Sequence, residues 1–238
     1  MFLFAHADDE IFALPFIDNS DSKLIVYLTD KLYSDSKSKA ILNESELVFQ
    51  KFLSPLNCHV IWYGGFRRIK DGELHQFTSL TEINSLLKVI YSKLDDLGVN
   101  KQIDSVFTTA FEGAHQDHDS AAYIARTIGK KLKISPIEIS TYPQKFKYFY
   151  SFRVLNPVNP RQEFEFHRKR VALLAFRMIM GYKTQRTTWL VLGPWVIYRY
   201  MFKRFKDVIP AKISLQTPCF YEFRGRIKQS EVIKHFNN

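Results

Sequence analysis

Phe2-Leu3-Phe4-Ala5 carries no polar side chain and runs straight into His6-Ala7-Asp8-Asp9-Glu10. A short run that is apolar at every position suits a strand buried on both faces, as strands are inside a parallel sheet covered by helices. Later in the chain Ser105-Val-Phe-Thr-Thr-Ala-Phe111 reads the same way and runs into Gly113-Ala-His115-Gln-Asp117-His118-Asp119. Two polar clusters, each at the exit of a buried strand, fit one site at the carboxyl edge of an α/β sheet.

Other segments extend the pattern. Residues 24–28, the run from His59 to Gly65, and Ile137 to Tyr142 read as further strands. Between them lie helical stripes. One runs from Glu44 to Leu53. The next runs from Ser79 to Leu97, with Ile83, Leu86, Ile90 and Leu94 on one face and Ser79 or Thr81 as its cap. A third runs from His118 to Leu132 and ends in the basic pair Lys130-Lys131. Strands that alternate with helices predict βαβ units, hence an α/β fold: a Rossmann-like, mostly parallel sheet flanked by helices. Beyond residue 145 a helix is expected from Glu163 to Met180, with late strands around 213–216 and 220–223, in a basic C-terminal extension packed on that sheet. The expected organisation is one domain over 1–238. Residues 1–144 form its site-bearing core and 145–238 a basic lobe, with the boundary near 156–160.

Composition narrows the class. Of 238 residues, 46% are apolar and 15% aromatic, ample for a packed core and unlike a disordered chain. The cysteines, Cys58 and Cys219, are too few for a disulfide framework or a Cys-based zinc site, which points to a reduced compartment. No secretory signal precedes the first strand, and the longest apolar stretch, Trp189 to Arg199, is shorter than the ~20 residues of a membrane span. A cytoplasmic protein is expected, with contact at the inner face of the membrane left open. Net charge is +10, unevenly spread: residues 1–144 hold 15 Lys+Arg against 19 Asp+Glu, and residues 145–238 hold 19 against 5. A basic lobe on an acidic core implies an anionic partner at that surface.

The clusters carry the chemistry. His6 and Asp9 are three apart, so a tight turn after the strand brings both to one ion. Asp8 and Asp9 are neighbours and cannot both face it equally, so one can ligate while the other acts as a base toward its water. His115 and His118 are also three apart, and Asp117 between them can hold an imidazole in one tautomer. Imidazole and carboxylate suit zinc, and three protein ligands leave a position for a reactive water. Each cluster alone is also a good helix start, in which Asp8, Asp9, Asp117 or Asp119 would merely cap. Together, each behind a buried strand, they favour a metal site. His59, His75, His167 and His235 have no such surroundings.

Ala5-His6-Ala7-Asp8-Asp9-Glu10 and His115-Gln116-Asp117-His118 resemble the two signature motifs of the PIG-L/LmbE-like zinc-dependent N-deacetylases, which act on N-acetylglucosaminyl groups. Thr29-Asp30 is similar to the family's Thr-Asp-Gly, with Lys31 in place of the glycine. Lys169 to Gln185 resembles a later Lys…Ser-Gln segment, and Glu222-Phe223 a final Glu-x-Phe element. The resemblance implies that His6, Asp9 and His118 hold Zn2+, with Fe2+ or another divalent ion as the alternative. It implies Asp8 as general base, His115 as stabiliser of the oxyanion and proton donor to the amine, and Asp117 as the group that orients His115. Ala7 stands where the family has proline, and Asn43 and Glu46 where it often has Arg-x-x-Glu near the sugar.

The implied substrate is a sugar conjugate, anionic or lipid-linked. The basic lobe could bind its phosphates, rest on an anionic membrane or serve a homo-oligomer contact. Rival readings are a metal hydrolase of another amide or ester, and a non-haem iron enzyme with two His and one carboxylate. A basic, non-catalytic nucleic-acid or glycan binder is a third, but it would need neither cluster.

Overall fold

The computed structural model describes residues 1–29, 43–98, 102–113, 115–141, 155, 160–203, 205–208 and 228–232. Strand β1 (Phe2–Phe4) is buried at every position. Its side chains alternate between two cores: Phe2 and Phe4 enter one, Leu3 and the following Ala5 the other. Truncating a side chain so enclosed, such as Leu3→Ala, costs about 2–5 kcal/mol. The same logic holds for β2 (Lys23–Tyr27), where Ile25 and Tyr27 join the first core and Leu24 and Val26 the second.

Strands β1, β2, β3 (Cys58–Trp62), β4 (Phe107–Thr109) and β5 (Ile137–Ile139) pair in parallel. Strands β6 (Pro160–Phe164) and β7 (Phe205–Val208) continue the sheet beyond β5 in antiparallel pairing. The order is β3-β2-β1-β4-β5-β7-β6. From β1 the chain builds outward to β2 and β3, then returns to place β4 on the other side of β1. That reversal opens a crevice outside the carboxyl ends of β1 and β4, where α/β sheets of this kind bind ligands.

Helices cover both faces. On one lie α4 (Leu80–Asp96) and α5 (Gln116–Leu132), which bury Ile83, Leu86, Ile90, Ala121, Ile124 and Ile128. Ser79 caps α4 as expected, its hydroxyl accepting the Glu82 N–H at 3.3 Å. On the other lie α1 (Leu14–Asn19), α6 (Arg168–Gly181) and α7 (Arg186–Phe202). Shorter helices occupy 43–48 (α2), which runs into a wider turn at Phe49–Leu53, and Tyr63–Arg67 (α3). Among the described residues, no helix is long and apolar enough to cross a membrane.

The basic extension is therefore woven into the molecule: α6 and α7 pack on one face, and β6 and β7 lengthen the sheet. One expectation is corrected. The helix predicted from Glu163 starts at Arg168, because Glu163 and Phe164 pair with Lys206 and Phe205 in the sheet. The late strands expected around 213–216 and 220–223 lie outside the described residues, as do Asp30, Lys31, Glu222, Phe223 and residues 156–159 of the boundary.

Candidate metal centre

The chain leaves β1 through a turn that Asp8 makes in the left-handed region, at φ 112°. A non-glycine residue there is uncommon and needs support from its surroundings. Glu10 supplies it, accepting the Asp8 N–H at 2.8 Å, while Asp9 accepts the His6 N–H at 2.9 Å. A single 3₁₀ segment, Asp9–Ala13, follows, and the Asp8 side chain forms no cap to it. Glu10 is fully buried and also receives the hydroxyl of Tyr182. Burial pushes its carboxyl up to about 7, against the opposing pull of the Tyr182 hydrogen bond.

The second cluster is tied down just as heavily. After β4, one oxygen of Asp119 accepts the N–H groups of Glu112 and Gly113, both at 3.0 Å. The Glu112 carboxylate in turn holds the Thr141 N–H at 2.9 Å and receives the Ser140 hydroxyl. Glu138, nearly inaccessible, pairs with Arg126 at 2.6 Å and accepts the Phe111 N–H. His115, not an aspartate, caps α5: its Nδ1 accepts the Asp117 N–H at 3.3 Å. A ring nitrogen that accepts there carries its proton on Nε2.

These two stretches meet. The rings of His6 and His118 lie 5.4 Å apart between centroids, those of His6 and His115 4.8 Å, and those of His115 and His118 5.1 Å. Asp9 joins them, with Oδ1 3.1 Å from His118 Nε2 and Oδ2 3.6 Å from His6 Nδ1. Metal bonds of about 2.0–2.2 Å in a tetrahedron put neighbouring ligands about 3.4 Å apart, and the Asp9 carboxylate meets each imidazole near that spacing through a different oxygen. Ligand atoms of His6, His115 and His118 also lie within 4.8 Å of one another, as do those of His6, Asp71, His115 and Asp117.

Charge is concentrated here. Burial would raise the Asp9 carboxyl, yet the charge of His118 and hydrogen bonds from His118 and His6 hold it well below the usual carboxylate range. Burial would lower His6, yet hydrogen bonds to Asp117, Asp71 and Asp9 hold it well above an ordinary histidine. Burial and the neighbouring charges of His6 and His118 push His115 down to about 3, so its ring is neutral near neutral pH.

The expected residues fall as follows. His6, Asp9, His115 and His118 converge, and Asp8 sits half-buried on the turn beside Asp9. The Asp117 carboxylate faces His6 instead of His115: Oδ2 is 3.1 Å from His6 Nε2, and its oxygens also accept the Gly72 and Leu74 N–H groups. Gly72, at φ 91°, makes the turn that brings those groups in. Asp71 was not anticipated, and its Oδ1 lies 3.3 Å from His6 Nε2 and 3.8 Å from His115 Nε2. Between Asn43 and Glu46, the positions compared with Arg-x-x-Glu, stands Glu44. Its carboxylate takes the Thr184 N–H at 3.1 Å and so ties α2 to the turn between α6 and α7.

No family model matches the chain, and no curated protein matches it. Solved structures do. A deacetylase–bog complex from the biosynthesis pathway of teicoplanin aligns at 12% identity over 90% of this chain and 98% of that one, with a TM-score of 0.57. The zinc-inhibited form of teicoplanin deacetylase Orf2 aligns with the same identity and coverage at 0.53. A deacetylase–teicoplanin complex aligns at 11% identity over 87% and 95%, also at 0.53. At such identities the likeness is one of fold.

Proposed function

We propose that this chain is a metal-dependent N-deacetylase that removes the acetyl group from an N-acetylglucosamine-type sugar conjugate. The observation that carries the proposal is the meeting of His6, Asp9, His115 and His118 at the sheet's reversal point, where ligand atoms of the three imidazoles lie within 4.8 Å of one another and Asp9 Oδ1 lies 3.1 Å from His118 Nε2. The fold supports it, since the structures that share it are named deacetylases, one of them in a zinc-inhibited form.

In this reading His6 Nδ1, Asp9 and His118 Nε2 hold the ion, zinc first among candidates. The Nε2 of His6 stays with Asp117, which fixes the tautomer and orientation of a ligating imidazole. When bound, the metal supplies Lewis acidity toward the acyl oxygen and lowers the pKa of a water. Asp8 accepts a proton from that water as its oxygen attacks the acyl carbon. Neutral His115, held through its Nδ1 by the Asp117 N–H, presents its Nε2–H to the oxyanion. The proton taken by Asp8 passes to the departing nitrogen as the C–N bond breaks, giving acetate and a free amine.

The test is metal analysis of the purified protein together with amine release from N-acetylglucosamine conjugates, nucleotide-linked and lipid-linked. One equivalent of metal and chelator-sensitive amine release are expected. A metal-free protein, or full activity in Asp8→Ala, would refute the reading.

A further inference from the structure

The hairpin of α6 and α7 carries a surface that the metal centre does not use. Along α7, Leu190, Val191, Pro194, Tyr198 and Phe202 recur at helical spacing and are all exposed, Leu190 by 74% and Phe202 by 65%. The other side of the same helix, through Trp189, Leu192, Val196 and Tyr200, is buried in the core. A helix apolar all round is ordinarily buried all round, yet half of this one faces outward. On α6, Leu173, Phe176 and Met180 repeat the arrangement opposite buried Val171, Ala175 and Met178. Both helices bury their inner sides in the same core, so their outer sides together make one apolar face.

Charge says what covers it. From Arg168 to Lys203 the chain holds eight Lys or Arg and no Asp or Glu. Arg186 and Lys203 bracket the α7 stripe, and Lys51, Arg177 and Lys183 rim an apolar groove of about 470 Å³ between α2 and α6. Two copies of this face set together would oppose mainly cation to cation, since the nearby Glu44 and Asp18 carboxylates are engaged by Thr184 and Arg170, which disfavours a symmetric dimer. An apolar stripe edged by Lys and Arg, whose stems can lie along acyl chains while their heads reach phosphates, matches an anionic bilayer surface. At 17 residues, α7 is shorter than the ~20 needed to span a bilayer, so it lies in the interface.

We infer that the outer face of the α6–α7 hairpin docks on an anionic lipid bilayer. Its turn carries Tyr182, whose hydroxyl reaches Glu10, so the hairpin is anchored from its inner side beside the candidate metal centre. The inference rests on this surface alone and stands or falls apart from the deacetylase reading.

Co-sedimentation of the full chain tests it, with vesicles of pure phosphatidylcholine and vesicles in which about a third of the lipid is phosphatidylglycerol. Partition onto the anionic vesicles is expected to be roughly tenfold higher, and to fall with added salt. Leu190→Glu with Phe202→Glu is expected to lower it at least about tenfold with an unchanged melting temperature. Should that pair unfold, Arg186→Glu with Lys203→Glu carries the test, with a loss of at least about fivefold. Equal partition onto both vesicle types, no pelleting, or unchanged pelleting of a folded variant overturns the inference. So does a wild-type dimer that the variants split without any vesicle binding, which assigns the face to protein.

Discussion

The imidazole of His6 meets the carboxylate of Asp117 at 3.1 Å, across 111 positions of sequence, and that contact joins the two halves of the site. It places Asp117 behind His6, the proposed metal ligand, and leaves His115 to be held through its Nδ1 by the Asp117 backbone. Substitution Asp117→Asn is therefore expected to weaken metal affinity about 10–100-fold. Competition against a chromophoric chelator measures it. Unchanged affinity with a lower kcat would instead return Asp117 to the service of His115.

In the metal-free protein His6 is held protonated by three carboxylates, so a metal must displace that proton. Metal uptake near neutral pH is expected to release about one proton, read by calorimetry in buffers of different ionisation enthalpy. A folded pKa raised above the unfolded value contributes stability that is fully present below about 6.5 and is lost as pH rises toward the higher folded value. Metal-free protein should thus melt at lower temperature as pH climbs above that point, and His6→Ala should flatten the dependence.

Asp8→Asn and His115→Ala are expected to keep their metal and lose turnover by about 10²–10⁴-fold and about 10²–10³-fold. His118→Ala should lose the metal itself. Metal content beside amine release separates the classes, and retention of metal by His118→Ala would remove it from the ligand set.

Arg126 neutralises Glu138, and Glu138 holds the loop before His115 through the Phe111 N–H. Arg126→Ala leaves a buried carboxylate unpaired and should cost about 3 kcal/mol in denaturant unfolding. Adding Glu138→Gln should recover much of that loss.

Much of this architecture can be read from the residues themselves. Phe2 to Ala5 is apolar throughout because β1 has a core on each face, and the α4 stripe is visible because only one of its faces is buried. His6, Asp9, His115 and His118 could be picked out together because they crowd at the exits of β1 and β4. The rest depends on tertiary contacts. Asp71 sits in Lys70-Asp-Gly-Glu73, which has the composition of any surface turn, and only the docking of Gly72 on Asp117 brings it to His6. Residues two apart on a helix do not face each other, so Asp117 turns from its sequence neighbour His115 toward a distant strand. The alternation Glu163-Phe-Glu-Phe166 is a strand pattern overshadowed by the strong helix that follows it.

Anomalous diffraction at the zinc edge from crystals grown with equimolar zinc addresses the metal centre most directly. One peak is expected, within about 2.0–2.2 Å of His6 Nδ1, an Asp9 oxygen and His118 Nε2. No peak, or a peak held by Asp71, His115 and Asp117 with Asp9 left out, would contradict it.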